Sequence, residues 1–286
     1  MPRCGAGSRR RRSAASWWRR NGRTAIRRWS RHHDHAAVAG AGLMRLSSRS
    51  LAWSLLLLAI VWFPAGRARA AETSQPLSQS ALFSQAFGSR FTVAASDGPI
   101  ALSRLDIGLL GVPSGRIVAC DPFVCDGIEA FTRRVPAGKF PVQLAMAEMP
   151  DDERVAFARI LFADRPAVRW EMALRPGQML AALKPGYIHG YGVDTGTGAF
   201  MDAVTHAPYM AATADEAATE RLVAALNAAP VASRTWLLRP YGQANVAMFS
   251  SGWGDGFYAS YFGLDETGRV VALVTDFGVV EWRAGK

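Results

Sequence analysis

Four side chains between residues 194 and 255 have the types and spacings that acid–base or metal chemistry requires. Asp194, Asp202 and Asp255 lie in or beside glycine-rich runs, where carboxylates bind hard cations or exchange protons with a substrate. His206 follows Asp202 by four residues, so on a helix the two side chains would share one face. These four residues are the candidate catalytic set, and a divalent cation is the ligand that they would hold. The alternative is that each aspartate caps a turn by accepting backbone N–H groups.

Three further residues extend this set. Asp121 and Asp276 are carboxylates near other unusual segments, and His189 precedes Asp194 by five residues. His189 and His206 are the two histidines that follow residue 70, and both lie near an acid, which favours metal binding or proton transfer. Convergence of these segments at one pocket would favour catalysis, and separation would favour turn capping.

Aromatic residues around the last glycine-rich run suggest a different use. Trp253, Asp255 and Tyr258 are the candidate binding residues, with Phe257 and Tyr261 beside them. Aromatic rings that flank a glycine-rich loop form a stacking wall for a sugar or an anchor at a protein interface. The alternative is that the same rings alternate along a strand and fill the core.

Two cysteines bracket Asp121. Cys120 and Cys125 are too few for a four-ligand zinc site, and their spacing differs from the C-x-x-C of redox proteins. In an oxidising compartment they would form a disulfide that closes a short loop. The alternative is a pair of reduced, partly buried thiols, because spacing alone does not determine the Cα separation that a disulfide needs.

Common catalytic signatures are missing from the sequence. It contains no Gly-x-Ser-x-Gly elbow, no His-Glu-x-x-His pair, no phosphate-binding loop with Lys and no dinucleotide fingerprint. Common hydrolase and nucleotide chemistries are therefore unsupported, and no organic cofactor is expected.

Basic residues are concentrated at the start of the chain. The 286 residues hold 33 Lys and Arg against 23 Asp and Glu, a net charge of +10, but residues 1–70 contain 15 of the basic residues and one acid. The remaining residues carry 18 basic and 22 acidic side chains, a net charge of −4. The basic excess therefore does not describe the rest of the chain, and no nucleic-acid partner is expected.

Residues 44–70 have the three parts of a signal peptide. Basic residues precede the apolar run Leu51–Phe63, and an Ala-x-Ala motif ends at Ala70. The run is shorter than the ~20 residues of a membrane span, so we expect cleavage after Ala70, no membrane span in the mature chain and a periplasmic or secreted location. Residues 1–43 are interpreted as an over-extended reading frame or a disordered basic leader. The alternatives are a basic arm for nucleic acid or acidic lipid and an unusual twin-arginine signal around Arg27-Arg28.

The rest of the chain is predicted to fold as one domain over residues 87–286, after a flexible lead-in at residues 71–86. Val168–Leu174 alternates apolar and charged side chains, as in a half-buried strand, and similar short runs recur along the domain. Helices are predicted at Gly177–Leu183, Ala199–His206 and Ala214–Ala228. These elements favour an α+β fold with a twisted, mostly antiparallel β-sheet or sandwich and a few inserted helices.

Four ordered motifs span most of this domain. They are Gly-Arg-Ile-Val-Ala-Cys-Asp-Pro-Phe from Gly115, Gly-x-Val-Asp-x-Gly ending at Gly196, Ser-Gly-Trp-Gly-Asp-Gly-x-Tyr from Ser251 and Val-Thr-Asp-Phe from Val274. At these residues the chain resembles the bacterial family known as domain of unknown function 4241. The resemblance implies no activity, substrate or catalytic residue.

Together these features predict an exported protein without catalytic activity that binds a ligand or a protein of the cell envelope. The alternative is a hydrolase or metal-dependent enzyme that uses the Asp/His set. The positions of the carboxylates discriminate between the two, because carboxylates more than about 10 Å apart cannot share one metal ion.

Overall fold

The computed structural model describes residues 78–95, 98–228 and 235–282, which lie within one compact unit, Thr73–Lys286. Its strands are β1 (Phe91–Val93), β2 (Ile100–Val112), β3 (Ile117–Cys120), β4 (Gly138–Met149), β5 (Asp152–Leu161), β6 (Arg169–Met172), β7 (Tyr191–Val193), β8 (Thr197–Asp202), β9 (Trp236–Tyr241), β10 (Ala244–Ser250), β11 (Gly256–Leu264) and β12 (Val270–Asp276). Its helices are α1 (Gln79–Gln85), α2 (Ala203–Ala212) and α3 (Glu216–Asn227), and short 3-10 turns occupy Pro122–Val124 and Leu180–Ala182. The predicted leader and signal peptide lie outside the described residues. No helix among the described residues is long and apolar enough to cross a membrane.

The strands form two antiparallel sheets. The larger sheet has the order β1-β2-β4-β5-β12-β11-β6, and β7 pairs with the first residues of β11. The smaller sheet has the order β3-β8-β10-β9. The sheets pack against each other where β2 contacts β8, β9 and β10, and α2 and α3 are inserted between β8 and β9. The predicted α+β fold with an antiparallel sandwich is therefore confirmed.

Alternation along the strands divides the apolar side chains between separate cores. In β4, Val142 and Leu144 face the core between the sheets, whereas Ala145 and Ala147 face a second core beneath α1. Successive side chains of a strand point to opposite faces, so one strand of the large sheet lines both cores. A third core lies between the small sheet and helices α2 and α3, where Tyr209 is fully buried.

Helix α1 covers the outer face of the large sheet. Ser78 caps it by accepting a hydrogen bond from the Ala81 N–H at 3.3 Å, and Leu82 and Phe83 are fully buried. The ring of Phe83 meets that of Trp170 edge to face, with the centroids 5.1 Å apart. The predicted flexible lead-in up to residue 86 is therefore wrong at α1, because a single short helix with two buried side chains completes the second core.

The segment predicted as a helix at Ala199–His206 is divided between two elements. Its first residues belong to β8, which is buried along its whole length and pairs with both β3 and β10. A strand covered on both faces is apolar at nearly every position, so it lacks the alternation that identifies a half-buried strand. The helix predicted at Gly177–Leu183 is also wrong, since the segment contains only the turn Leu180–Ala182, whereas the helix predicted at Ala214–Ala228 is confirmed as α3.

Candidate functional site

Three of the four sequence motifs, those that begin at Gly115, end at Gly196 and begin at Ser251, meet beside the first residues of β11. The backbone N–H of Thr195 donates to the carboxylate of Asp121 at 2.9 Å. The next residue, Gly196, accepts a hydrogen bond from the Ser251 N–H at 3.0 Å. Pairing of β7 with β11 adds a backbone ladder to these contacts. Tertiary structure therefore brings together segments that are more than 50 residues apart in the sequence.

Asp121 is the anchor of this junction. Its side chain is almost fully buried and accepts hydrogen bonds at 2.9 Å from the backbone N–H groups of Phe123, Asp194 and Thr195, and from the Thr195 hydroxyl. Burial raises the pKa of the Asp121 carboxyl above its usual value, and these hydrogen bonds act in the opposite direction. Both carboxylate oxygens are engaged by the chain itself.

Asp202 is fully buried and caps α2. Its Oδ1 accepts hydrogen bonds from the Ser114 hydroxyl at 2.7 Å and the Val204 N–H at 2.9 Å, and its Oδ2 accepts one from the Ser114 N–H at 3.0 Å. Because Asp202 is the N-cap, it lies outside the helix on which the two side chains were expected to share a face, and the Nε2 of His206 lies 2.9 Å from the carbonyl oxygen of Cys125. Turn and helix capping accounts for this aspartate.

The candidate catalytic residues do not converge on one point. Asp202 ends β8, whereas Asp194 precedes its first residue, Thr197, so the length of the strand alone separates them by about 16 Å. Among the described residues, no group of three or more His, Cys, Asp or Glu side chains is placed to hold a metal ion. His189 and Asp276 have local partners: His189 Nε2 lies 3.2 Å from the Met179 carbonyl oxygen, and Asp276 accepts the indole N–H of Trp282 at 2.8 Å.

Asp194 and Asp255 are exposed and lie at the same end of the β7–β11 ribbon. The register pairs Phe257 with Gly192, and Asp255 and Asp194 follow one position beyond the last pair. Both carboxylates are exposed, as Phe257 is. Asp255 Oδ1 also accepts the Gly196 N–H at 3.1 Å, which holds this carboxylate at the junction.

The predicted binding residues differ in exposure. Trp253 is 56% exposed, and its ring centroid lies 5.4 Å from the guanidinium carbon of Arg154. Phe257 is 51% exposed, whereas Tyr258 and Tyr261 are buried. Tyr258 therefore belongs to the core and is not available for the predicted ligand contact. We refer to residues 251–257, which carry the two exposed rings, as the aromatic loop.

Burial also changes the chemistry of Tyr258. Its hydroxyl donates to the Gly254 carbonyl oxygen at 2.8 Å, and its ring meets that of Phe277 edge to face at 5.0 Å. Burial, with smaller effects from the charges of Asp255 and Asp276, raises the pKa of Tyr258 to about 12. The hydroxyl therefore stays protonated and keeps its hydrogen bond to the aromatic loop at Gly254.

Arg175 is a positioning residue that the sequence did not reveal. Its guanidinium donates to three backbone carbonyl oxygens, those of Ala119 at 2.7 Å, Gly190 at 2.8 Å and Glu129 at 3.1 Å. These bonds join the end of β3 to the residue before β7. Burial lowers the pKa of Arg175 from its usual value. No sequence signal could have identified this role, because every residue carries a carbonyl oxygen.

A disulfide joins Cys120 and Cys125, with the Cα atoms 5.7 Å apart, as predicted. It closes the turn that carries Asp121. Two contacts from α2 hold the same turn: Tyr209 donates its hydroxyl to the Pro122 carbonyl oxygen at 2.7 Å, and His206 approaches Cys125 as described above. The disulfide therefore constrains the turn through which Asp121 reaches the junction of the three segments.

Comparison with known proteins is consistent with the motifs noted in the sequence. No curated protein and no solved structure matches this chain. A family model matches residues 110–275, which contain Asp121, Asp194 and the aromatic loop. The chain therefore belongs to the family described as Protein of unknown function (DUF4241).

Proposed function

We propose that this chain is an exported, non-catalytic binding protein whose contact surface is the aromatic loop. The observation that carries the proposal is the exposure of Trp253 and Phe257, each more than half accessible, on a loop that the rest of the domain holds in place. Large aromatic side chains left in solvent on a fixed loop are typical anchors of binding sites, because they bury much apolar surface with little loss of side-chain freedom.

The backbone of the aromatic loop is held at several points. Gly254 donates its N–H to the Ser251 carbonyl oxygen at 2.7 Å, and the Ser251 hydroxyl donates to the Gly254 carbonyl oxygen at 3.0 Å. Gly252 has a φ of +51°, and a Cβ built on it would lie 2.8 Å from the Cβ of Phe277. A loop that is ordered before binding loses less conformational entropy when the ligand arrives, which favours affinity.

Export is supported by the disulfide between Cys120 and Cys125. Such bonds persist in the periplasm and outside the cell, and glutathione and thioredoxin reduce them in the cytosol. Mass spectrometry of the protein recovered from its host tests this part of the proposal. We expect a mature N-terminus at Ala71, and a first residue well before it would overturn export with cleavage.

The carboxylates support binding in preference to catalysis. A hydrolase or metal-dependent enzyme would need Asp194, Asp202, Asp255 and His206 around one substrate atom or one metal ion. Asp202 and His206 are engaged elsewhere, by Ser114 and by Cys125. The two carboxylates that remain exposed are Asp255, which belongs to the aromatic loop, and Asp194, and both would take part in recognition.

Capture from a cell-envelope extract, followed by identification of the retained molecule, tests the contact surface. We expect the Trp253→Ala and Phe257→Ala variants to lose the molecule that the unchanged protein retains. Val168→Ala is the matched control: Val168 is 58% exposed, but its N–H donates to the Leu264 carbonyl oxygen, at the far end of β11. Equal retention by all of these proteins would overturn the assignment of the surface.

A further inference from the structure

Two carboxylates without a cationic partner lie in or beside the aromatic loop. Asp194 and Asp255 are both exposed, and each lies one residue beyond the last register pair of β7 with β11, Val193 with Gly256. Among the described residues, neither carboxylate forms an ion pair with a basic side chain. Like charges at the same end of two paired strands repel each other, so a positive charge placed near both carboxylates would be favoured.

The β4–β5 hairpin adds acidic side chains to the same surface. Arg154 of β5 lies against Trp253, which brings this hairpin alongside the aromatic loop. The charge of Arg154 is already offset, because its Nε lies 2.6 Å from Asp152 Oδ2. Asp151, at the hairpin turn, is exposed. Among the described residues named here, the exposed carboxylates of Asp151, Asp194 and Asp255 have no counterpart besides Arg154, whose charge Asp152 already offsets.

Trp253 already holds a guanidinium group. The Arg154 guanidinium lies 5.4 Å from the centroid of its ring, the geometry of a cation–π contact, and more than half of Trp253 stays exposed to solvent. Space for a ligand exists beside Phe257, since a Cβ built on its cross-strand partner Gly192 would meet no atom within 4 Å.

We propose that the aromatic loop binds a basic peptide segment, a Lys- or Arg-bearing stretch of a partner protein. The proposal rests on the proposed function and names its ligand class. The cationic side chains of the segment would lie between Asp194 and Asp255 and over the free part of the Trp253 ring. Its chain would pass over Gly192, beside Phe257.

Charge distinguishes a basic peptide from a sugar on this surface. A neutral sugar would stack on Trp253 and accept or donate hydrogen bonds, but it would leave the repulsion between Asp194 and Asp255 in place. A cationic side chain relieves that repulsion and also gains the cation–π contact. The peptide therefore satisfies both features of the surface.

Fluorescence anisotropy with labelled peptides tests the inference. The probes are a peptide of alternating Lys and Gly, the same peptide with Glu in place of Lys, and an unlabelled N-acetylglucosamine oligomer as competitor. We expect the Lys peptide to bind, the Glu peptide not to bind, and added salt to weaken binding. The Trp253→Ala variant and the Asp194→Asn/Asp255→Asn double variant should each weaken binding by about tenfold.

Glu266→Gln is the matched charge control. Glu266 is exposed but lies beyond the far end of β11, about 26 Å from Gly256 along the strand. We expect this variant to bind the Lys peptide unchanged. Equal weakening in Glu266→Gln would mean attraction to the whole acidic domain and would overturn the inference.

Two further outcomes separate this inference from the proposed function. Binding of the N-acetylglucosamine oligomer that depends on Trp253, without binding of the Lys peptide, would overturn the peptide inference and leave the binding function standing. If no probe binds in a way that depends on Trp253, and the Trp253→Ala and Phe257→Ala variants retain the same molecules from the envelope extract as the unchanged protein, both the peptide inference and the proposed function are overturned.

Discussion

Asp121 accepts hydrogen bonds from both the backbone N–H and the hydroxyl of Thr195, 74 residues further along the chain, each at 2.9 Å. This contact attaches the disulfide-closed turn to the loop between β7 and β8. The neighbouring Gly196 is in turn bound to Asp255 and Ser251. The exposed Trp253 and its loop therefore depend on a buried carboxylate that does not face the solvent.

Removal of the Asp121 carboxylate should destabilise the domain strongly. The Asp121→Ala substitution leaves the N–H groups of Phe123, Asp194 and Thr195 without their acceptor, and we expect a loss of about 3 kcal/mol in the free energy of unfolding. Asp194→Ala is the control, because Asp194 contributes only its backbone and should change stability by no more than about 0.5 kcal/mol. Urea unfolding measures both, and equal losses would contradict this role of Asp121.

The same carboxylate should give the domain a pH-dependent stability. Burial raises the pKa of Asp121 in the folded state above the ordinary value of 3.8, so the folded protein binds the proton more tightly than the unfolded chain. Stability from this group is therefore fully present below the unfolded pKa and is lost as the pH rises through the folded pKa. Comparison with Asp121→Asn isolates the effect from other acids.

We expect the unfolding free energy of the unchanged protein, relative to Asp121→Asn, to increase as the pH falls from neutral towards 3.8. Urea unfolding over a series of pH values measures this difference. A difference that decreases on acidification would show that hydrogen bonding outweighs burial at Asp121.

The disulfide should stabilise the domain moderately. Replacement of both Cys120 and Cys125 by Ala removes the constraint on a six-residue loop, and chain entropy predicts a loss of about 2 kcal/mol. Reduction of the unchanged protein should lower its free energy of unfolding by a similar amount. If the reduced protein and the double variant unfold at the same urea concentration as the oxidised protein, the bond contributes nothing to stability.

Replacement of two nearby glycines by alanine should have very different effects on the stability of the domain. A Cβ at Gly190 would lie 2.2 Å from the Tyr258 carbonyl oxygen, so Gly190→Ala must push β7 away from β11 and should cost at least about 2 kcal/mol. A Cβ at Gly192 would meet no atom within 4 Å, so Gly192→Ala should change stability by no more than about 0.5 kcal/mol. Thermal unfolding of the Gly190→Ala and Gly192→Ala variants checks that β7 pairs with β11.

Helix α1 should be an essential part of the folded domain. Phe83 is fully buried among the rings of Trp170, Tyr261 and Trp282, so Phe83→Ala should cost about 3–5 kcal/mol. Gln85 is exposed on the same helix, and Gln85→Ala should be close to neutral. Equal stabilities would mean that the domain folds without α1, as the predicted lead-in implied.

Local patterns in the sequence were enough to predict individual strands, the disulfide and the family of this protein. Alternation over Val168–Leu174 predicted β6, the nearby Cys120 and Cys125 in a chain expected to be exported predicted the disulfide, and the four ordered motifs led to the family. Each of these signals depends on residues only a few positions apart, and side-chain period and turn chemistry act over that distance. Strand β8 escaped prediction because burial on both faces removes the alternation.

Only the tertiary structure decided which partner each aspartate binds. Asp121 joins Thr195, Asp202 turns away to Ser114, and Arg175 binds three carbonyl oxygens that no sequence pattern distinguishes. These contacts exist because particular strands pair and bring together residues that are distant in the sequence. Strand pairing is a property of the whole sheet, so the roles of these side chains followed from the fold and not from their own neighbours in the sequence.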